Sequence, residues 1–236
     1  MCNRYTLHDR EAALDAIAHA LKHGLEPPDW TYNPRYNIGP GSIVPVIVDQ
    51  AGGAAQLKPM VWGLIPFFER DKPVKRPILN ATAEKARTSP AFRQAIAKRR
   101  CLLPANGYYE WQEVAGVKYP HLFTLSGGNS FAFAAIWEPA SAEAPDTVAL
   151  LTTRPNAVAA AVHNRMPVVL PPDQVARWLG SEPLAGGEFE ALTAPLADEK
   201  LSERPVSRFV SNSRHEGPQC IAPPEPPAPE PQLSLF

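Results

Sequence analysis

Long apolar segments, a signal sequence and cysteine pairs are all missing from this chain of 236 residues. No stretch is long and apolar enough to cross a bilayer, and no basic segment followed by an apolar one opens the chain. The three cysteines, at positions 2, 101 and 220, form no CxxC pair, which argues against a disulfide framework. No spacing of His, Cys, Asp and Glu suggests zinc, and no Gly-rich loop suggests a nucleotide. We therefore expect a protein of the reducing cytoplasm that needs no metal or other cofactor.

A strong excess of charge is missing as well. The net charge of −1 argues by itself against a nucleic-acid binder. Basic residues nevertheless cluster at Lys72, Lys75 and Arg76, and again at positions 98–100. Such clusters are typical either of a solvated face or of a nucleic-acid contact. Charge therefore permits binding to nucleic acid without demonstrating it.

The pattern of apolar residues predicts an α+β fold. Residues 9–23 have helical spacing, with Asp9 placed to cap the helix at its start and Gly24 at its end. Further short helices are expected to begin at Ser89, after Pro155 and at Pro172. Strand-like runs cover 43–49, 57–63, 100–104, 107–112, 120–125, 131–138, 147–153 and 166–170. Many short strands with few helices predict a curved, mainly antiparallel sheet or barrel core with short peripheral helices.

Composition changes near position 216. Residues 1–215 contain the strand and helix patterns and are expected to form one catalytic domain, whereas residues 216–236 are Pro-rich and typical of a disordered tail. The last five residues, Gln232-Leu233-Ser234-Leu235-Phe236, resemble the pentapeptide that binds the bacterial sliding clamp of the DNA polymerase. We predict that Gln232, Leu233, Leu235 and Phe236 bind this clamp, with a chance match of a short motif as the alternative.

Cysteine at position 2 offers unusual chemistry. If Met1 is removed, Cys2 carries a free α-amine and a thiol on adjacent carbons. The amine can condense with an aldehyde to an imine, and the thiol can close on that imine to give a five-membered thiazolidine. The ordinary pKa values near 8 for an α-amine and near 8.5 for a thiol leave a usable neutral amine at about pH 7. The alternative is an incidental cysteine near a frayed terminus.

Four segments form a combined pattern. They are residues 1–5 (MCNRY), residues 62–66 with 80–84 (WGLIP and NATAE), residues 100–111 (RCLLPANGYYEW) and residues 162–167 (VHNRMP). Over roughly residues 1–215 they resemble the SOS response-associated peptidase (SRAP) family, the abasic-site processing proteins. The resemblance implies a self-processing enzyme whose exposed Cys2 crosslinks to abasic sites in single-stranded DNA. It also implies polar active-site residues Asn80, Glu110 and His163, and a loop whose Pro40 wedges against DNA bases.

Two positions depart from the family pattern. Asn3 stands where the family often has glycine, and Thr82 stands where the family usually has an arginine that contacts the DNA backbone. The second departure predicts weaker DNA binding and leaves the chemistry of Cys2 untouched.

The three polar residues also have roles that follow from their own chemistry. Glu110 lies among aromatic residues, so desolvation should raise its pKa toward neutrality and suit it to acid–base catalysis; an exposed glutamate on an edge strand is the alternative. His163 has an ordinary pKa near 6.5, which suits a proton shuttle, although a lone histidine is more often structural. Asn80 could hydrogen-bond a sugar hydroxyl or a carbonyl, or could be a turn residue.

DNA contacts are predicted from arginines and aromatic rings. Arg4 and Arg165 flank the proposed catalytic residues and are expected to hold backbone phosphates. Trp62, with Tyr5, Tyr108 and Trp111, could stack on unpaired bases, while for each of these rings a place in the core is the alternative.

Two other cysteines are expected to be unreactive: Cys101 as a buried strand residue and Cys220 as an incidental one.

Three functions fit these observations. The first is a DNA–protein crosslinking enzyme for abasic sites, with hydrolase, peptidase and lyase-like character, acting in the DNA damage response. The second is a cysteine peptidase with Cys2 as nucleophile and His163 as base. The third is a non-catalytic adaptor that binds single-stranded DNA and does not need Cys2. We expect a monomer without a membrane partner, which lies on the nucleoid when it is bound to DNA.

Overall fold

The structure is a computed structural model that describes residues 3–21, 24–27, 30–50, 53–70, 72, 77–128 and 130–225. Its strands are β1 Tyr5–Leu7, β2 Arg35–Ile38, β3 Ile43–Val48, β4 Gln56–Trp62, β5 Asn80–Thr82, β6 Arg100–Ala105, β7 Gly107–Val114, β8 Val117–Leu125, β9 Phe131–Glu138, β10 Thr147–Thr153, β11 Met166–Pro167, β12 Val169–Leu170 and β13 Leu201–Pro205. Its α-helices are α1 Arg10–Ala20, α2 Ala83–Ala86, α3 Arg93–Lys98, α4 Ala157–Ala160, α5 Pro172–Leu179 and α6 Gly186–Leu192. Cys2 and residues 232–236 lie outside the described residues.

A closed barrel forms one half of the fold. Strands β3, β4, β6, β9 and β10 pair in a ring, in the order β10-β4-β3-β6-β9 and back to β10. All neighbours in the ring are antiparallel except β10 and β4. The short strand β5 joins β10 in parallel from outside the ring, with Asn80 opposite Leu150. The predicted fold, α+β with a mainly antiparallel barrel and short helices, is confirmed.

A second, five-stranded sheet packs against the barrel, in the order β13-β8-β7-β1-β2. One apolar cluster contains residues of both halves, and aromatic rings dominate it. Tyr5 of the sheet meets Trp62 of the barrel edge-on with ring centroids 5.6 Å apart, and Tyr108 stacks on Phe123 at 4.8 Å. Burying such rings contributes roughly 2–3 kcal/mol each. This core fixes the N-terminal strand against β7, which carries residues 107–111 (GYYEW) of the third sequence segment.

Several element boundaries differ from the prediction. Asp9 caps α1 as predicted, through its side chain and the N–H of Ala12 at 3.1 Å, but the helix ends at Ala20 with Leu21 as its cap rather than at Gly24. Helix α3 begins at Arg93 instead of Ser89, since the backbone first makes a turn in which the N–H groups of Phe92 and Arg93 both donate to the carbonyl of Ser89.

The strand predicted at 166–170 is two strands. Met166–Pro167 pairs with β10, and Val169–Leu170 pairs with β9. The segment therefore crosses from one barrel strand to its neighbour, which interrupts a single ladder at Val168. Within the described ranges, no helix is both long and apolar enough to cross a membrane.

Contacts with the folded domain extend past the boundary predicted at position 216. Glu216 accepts hydrogen bonds from the Arg35 side chain at 2.5 Å and from the N–H of Tyr36 at 2.9 Å. Cys220 is fully buried beside Tyr109, and the carbonyl of Ala222 accepts from the N–H of Ser207 at 2.8 Å. The folded region therefore continues to about position 222. Residues 226–236 of the predicted tail lie outside the described residues.

Candidate functional site

The site is organised around the residues that follow position 2. The carbonyl of Arg4 accepts a hydrogen bond from the N–H of Tyr109 at 3.0 Å, which attaches the N-terminal segment to β7. The Oδ1 of Asn3 accepts from the Nδ2 of Asn80 at 2.9 Å, which attaches the same segment to β5 at the barrel. Cys2 itself is outside the described residues.

Glu110 lies on β7 directly after Tyr109, and its side chain is buried. Only 4% of the residue is exposed. Alternation along the strand places it on the same face as the core residue Tyr108. Burial raises the pKa of Glu110 to about 7, because a charged carboxylate is costly away from water. The alternative of an exposed glutamate on an edge strand is wrong, since β7 lies between β1 and β8.

His163 faces Glu110 from the segment between α4 and β11. Its Nδ1 is 4.0 Å from the Oε1 of Glu110, too far for a hydrogen bond. The backbone N–H and the backbone carbonyl of Arg165 lie 3.1 and 3.3 Å from the same Nδ1, so a neutral ring finds a backbone partner in either tautomer. Burial is the main cause that lowers the pKa of His163. At neutral pH the pair therefore combines a neutral imidazole with a carboxyl group close to its midpoint of titration.

Asn80 belongs to β5 and is not a turn residue. Its Nδ2 donates to Asn3, whereas its buried Oδ1 has no hydrogen-bond partner in the described part of the chain. A buried acceptor without a partner is unfavourable and rare in folded proteins. This oxygen is therefore available to accept a hydrogen bond from a ligand that enters beside Asn3.

Arg165 is held by protein acceptors. Its guanidinium donates two hydrogen bonds to the carboxylate of Glu84, at 2.8 and 2.9 Å, and one to the carbonyl of Thr152 at 2.7 Å. The bond from Arg165 is the main cause that lowers the pKa of Glu84. This fork fixes Arg165 next to His163, and the role of Arg165 as a phosphate contact stays a prediction.

Arg4 and Pro40 lie on neighbouring parts of the surface. Arg4 donates to the Oδ1 of Asn37 at 2.7 Å, and its guanidinium lies 5.7 Å from the ring centroid of Trp111. Pro40 is exposed in the turn between β2 and β3. The N–H of Gly41, whose φ is +80°, donates to the carbonyl of Trp62 and holds that turn in place. Their roles as DNA contacts also stay predictions.

Trp62 does not lie where a base could stack on it. The residue is fully buried, and its Nε1 donates to the carbonyl of Leu79 at 3.0 Å. Tyr5 and Tyr108 are fully buried too, so the core alternative holds for all three rings. The sequence drew attention to Trp62 because it opens the WGLIP motif, but its ring packs against Tyr5 in the core.

Two exposed rings that the sequence analysis missed follow the same motif. Phe67 and Phe68 are 39% and 44% exposed, and their ring centroids are 5.3 Å apart. They come directly after Pro66 in the connection from β4 to β5. The signal was available, because two adjacent aromatic residues in a loop have no strand or helix periodicity that would bury both.

The remaining cysteines add little chemistry to the site. Cys101 is buried in β6 as predicted, and its burial raises the pKa of the thiol. Cys220 was predicted to be incidental, but it packs in the cluster of Tyr109 and Val210. Among the described residues, no three His, Cys, Asp or Glu side chains lie together as a metal site would require.

The chain is similar in sequence to several proteins named for abasic site processing. It is 29% identical over 225 residues to the abasic site processing protein YoqW of Bacillus subtilis, with 94% of this chain and 99% of the relative covered. It is 28% identical to the abasic site processing protein YedK of Escherichia coli, covering 94% and 100%. The mouse abasic site processing protein HMCES is 28% identical, and 94% of this chain matches 76% of it.

The fold also matches solved structures. A protein from Bacteroides thetaiotaomicron superposes with a TM-score of 0.80 and 22% identity over 94% of this chain and 99% of that chain. A protein from Bordetella bronchiseptica superposes with a TM-score of 0.70 over 87% of this chain. Residues 1–213 match the family described as SOS response associated peptidase (SRAP). The match covers most of the chain, and the segments that contain Asn3, Asn80, Glu110 and His163 meet at one site. The chain therefore belongs to the SRAP family.

Proposed function

We propose that this protein processes abasic sites in single-stranded DNA by forming a covalent crosslink through Cys2. The observation that carries the proposal is the convergence of Asn80, Glu110 and His163 on the segment that begins at Asn3. The names of the relatives from Bacillus subtilis, Escherichia coli and mouse support the same substrate. The family match over residues 1–213 supports an enzyme of the DNA damage response.

The proposed chemistry starts after Met1 has been removed. The amine of Cys2 adds to the aldehyde carbon C1′ of the opened abasic sugar and gives a carbinolamine. Protonated Glu110 donates its proton to the leaving hydroxyl, so that water departs and an imine forms. The thiol of Cys2 then adds to the imine carbon and its proton passes to the nitrogen, which closes the thiazolidine. The sum is one new C–N bond, one new C–S bond and one released water.

Asn80 and His163 have supporting roles in this proposal. The Oδ1 of Asn80, which has no partner among the described residues, accepts a hydrogen bond from a sugar hydroxyl or from the N–H of the carbinolamine. His163, neutral and partly exposed, takes the proton of the C1′ hydroxyl and passes it to the ring oxygen O4′ as the cyclic sugar opens. The reverse transfer closes the sugar ring when the adduct has been released.

His163→Ala is expected to slow both crosslinking and release by about 10²-fold, the usual contribution of a general base, while the Kd for DNA with a non-reactive abasic analogue changes little. Single-turnover gels give the two rates and a fluorescence titration gives the Kd. His19→Ala, on the exposed side of α1, is the matched control. A large loss of affinity with unchanged rates would show that His163 binds DNA rather than moving protons.

The alternative functions differ in what they need from position 2. A cysteine peptidase needs only the thiol of Cys2, with His163 as the base, and removal of Met1 would be its own reaction. An adaptor needs neither the thiol nor the amine. Incubation with abasic single-stranded DNA followed by a denaturing gel separates the three. A heat-stable adduct supports the crosslinking enzyme, whereas peptide cleavage without an adduct supports the peptidase and reversible binding alone supports the adaptor.

In this proposal Phe67 and Phe68, rather than the buried Trp62, stack on unpaired bases. Both rings are exposed in the loop that leads to Asn80, so they can meet an unpaired base without rearrangement of the core. Arg4, Pro40 and Arg165 remain the proposed contacts with the strand around them. The ion pair with Glu84 holds the guanidinium of Arg165 in one orientation.

Replacing both Phe67 and Phe68 with alanine is expected to weaken binding to single-stranded DNA about fivefold or more, because base–aromatic stacking contributes about 1–3 kcal/mol per base. Binding is measured by fluorescence anisotropy at a fixed salt concentration. Phe67→Tyr with Phe68→Tyr keeps both rings and should bind as the wild type does. Equal affinity of the wild-type protein for intact duplex would contradict a stacking mode.

The DNA polymerase clamp is a proposed partner of Gln232, Leu233, Leu235 and Phe236. Deletion of residues 232–236 should abolish binding to the purified clamp and leave crosslinking in solution unchanged, since a short peptide docks independently of the domain. Ser234→Asp still fits the clamp-binding pattern and is the matched control. Calorimetric titration of the clamp with the full-length protein measures the interaction, and no binding at high micromolar concentration would end the hypothesis.

A further inference from the structure

A hairpin beside the candidate site exposes apolar side chains on one face. Val114, Val117 and Tyr119 are 50%, 37% and 43% exposed. The turn between β7 and β8 consists of Ala115 and Gly116 with φ values of 50° and 78°, a two-residue turn that matches the twist of the strands. The exposed side chains are therefore carried by regular strands rather than by a loose loop.

This surface is continuous with the catalytic face. Side chains alternate along a strand, so Glu110, Gln112 and Val114 point to the same side of β7. The register pairs Gln112 with Tyr119 and Val114 with Val117, which brings those partners to that side as well. We call Gln112, Val114, Val117 and Tyr119 the hairpin face. Along the two strands it follows the pair formed by Glu110 and His121.

A hydrogen bond fixes the hairpin face relative to the site. The Nε2 of Gln112 donates to the carbonyl of Ala161 at 3.0 Å, two residues before His163. Tyr119 lies opposite Gln112, and two residues along a strand are about 7 Å. The backbone of Tyr119 is therefore about 7 Å along the strand from the pair that contains Glu110. A neighbouring nucleotide can cover that distance.

Charge and size restrict the occupant of this face. Glu113 and Lys118 lie opposite each other and point to the other side of the hairpin, so the hairpin face itself carries no charged side chain. An uncharged face with one tyrosine suits the flat surface of a base better than a phosphate. A stable protein partner or second copy needs about 20–30 residues on each side, far more than these four.

We propose that Tyr119 stacks on one unpaired base close to the abasic site and that Val114 and Val117 border this contact. The inference rests on the proposed function, because the base belongs to the strand that carries the lesion. It places one side of that strand along the hairpin. It also assigns a binding role to a residue outside every motif recognised in the sequence.

Binding of base-deleted oligonucleotides tests the contact. The probes are short single strands that carry a tetrahydrofuran abasic analogue, which has no aldehyde, and that lack one further base at each position on either side in turn. For the wild-type protein, removing one particular base should weaken binding about fivefold or more. For Tyr119→Ala that same deletion should change nothing, while Tyr119→Phe should respond as the wild type does. Such coupling at a single position identifies the stacked base.

The controls separate this inference from the proposed function. Lys118→Ala, on the opposite side of the hairpin, should keep the wild-type profile, and thermal melting checks that each variant is folded. If no base deletion is coupled to Tyr119, the inference is wrong even when Cys2 crosslinks normally. If neither wild type nor Tyr119→Ala crosslinks to DNA with a true abasic site, the proposed function fails independently of the binding profile.

Discussion

Cys2→Ala is expected to abolish the heat-stable adduct with abasic single-stranded DNA, the largest effect of any single substitution in this chain. Alanine keeps the α-amine, so an imine can still form, but nothing closes the ring and the imine hydrolyses on denaturation. Trapping with borohydride should therefore recover an adduct from Cys2→Ala that is absent on an untreated gel. This difference assigns the amine to the first step and the thiol to the second.

Blocking the amine tests the same mechanism from the other side. A variant with an N-terminal extension that cannot be removed keeps the thiol of Cys2 in an ordinary peptide. It should form no adduct with or without borohydride, while binding the non-reactive analogue as before. Adduct formation at the wild-type rate by this variant would exclude the amine and favour a reaction of the thiol alone. Cys101→Ala keeps both groups of Cys2 and serves as the control for loss of a cysteine.

The sequence predicts much of the site because the relevant signals are local. Tyr108, Tyr109 and Trp111 surround Glu110 in the sequence of β7. Tyr108, on the same face as Glu110, is fully buried, in keeping with the burial of the carboxyl group. The apolar runs also predict the barrel strands within a few residues. Local pattern is sufficient for these features since each depends on neighbours in the same strand.

Contacts between distant segments are what the sequence does not reveal. Arg165 and Glu84 form their fork across 81 positions, and Asn3 meets Asn80 across 77. Trp62 was expected to contact DNA because its motif suggests function, yet edge-on packing against Tyr5 buries it. The packing of residues 216–222 was hidden for a similar reason, since a Pro-rich composition does not show that Cys220 fills a gap beside Tyr109.

Glu110→Gln is expected to slow crosslinking by about 10²-fold or more, because glutamine retains the size of the side chain but cannot donate a proton to the departing hydroxyl. The pKa of about 7 adds a signature in pH. Above that value the wild-type carboxyl group loses its proton, so its rate advantage over Glu110→Gln should shrink as pH rises from 6 to 8. Rapid-quench measurements of the chemical step give both rates. Glu113→Gln, three residues along the same strand and exposed, should behave as the wild type.

Stability provides an independent test of the same carboxyl group. Burial raises the pKa of Glu110 from 4.5 to about 7, so between these values the folded protein binds a proton that the unfolded chain releases. The free energy of unfolding should therefore fall, relative to Glu110→Gln, as pH rises from about 4.5 to about 7, and stay lower above that range. At about 1.4 kcal/mol for each pKa unit, the loss is on the order of 3 kcal/mol. Urea denaturation of both proteins at several pH values measures it. A difference that is constant from pH 4 to pH 8 would mean that Glu110 is ionised in the folded protein and cannot be the acid that expels water.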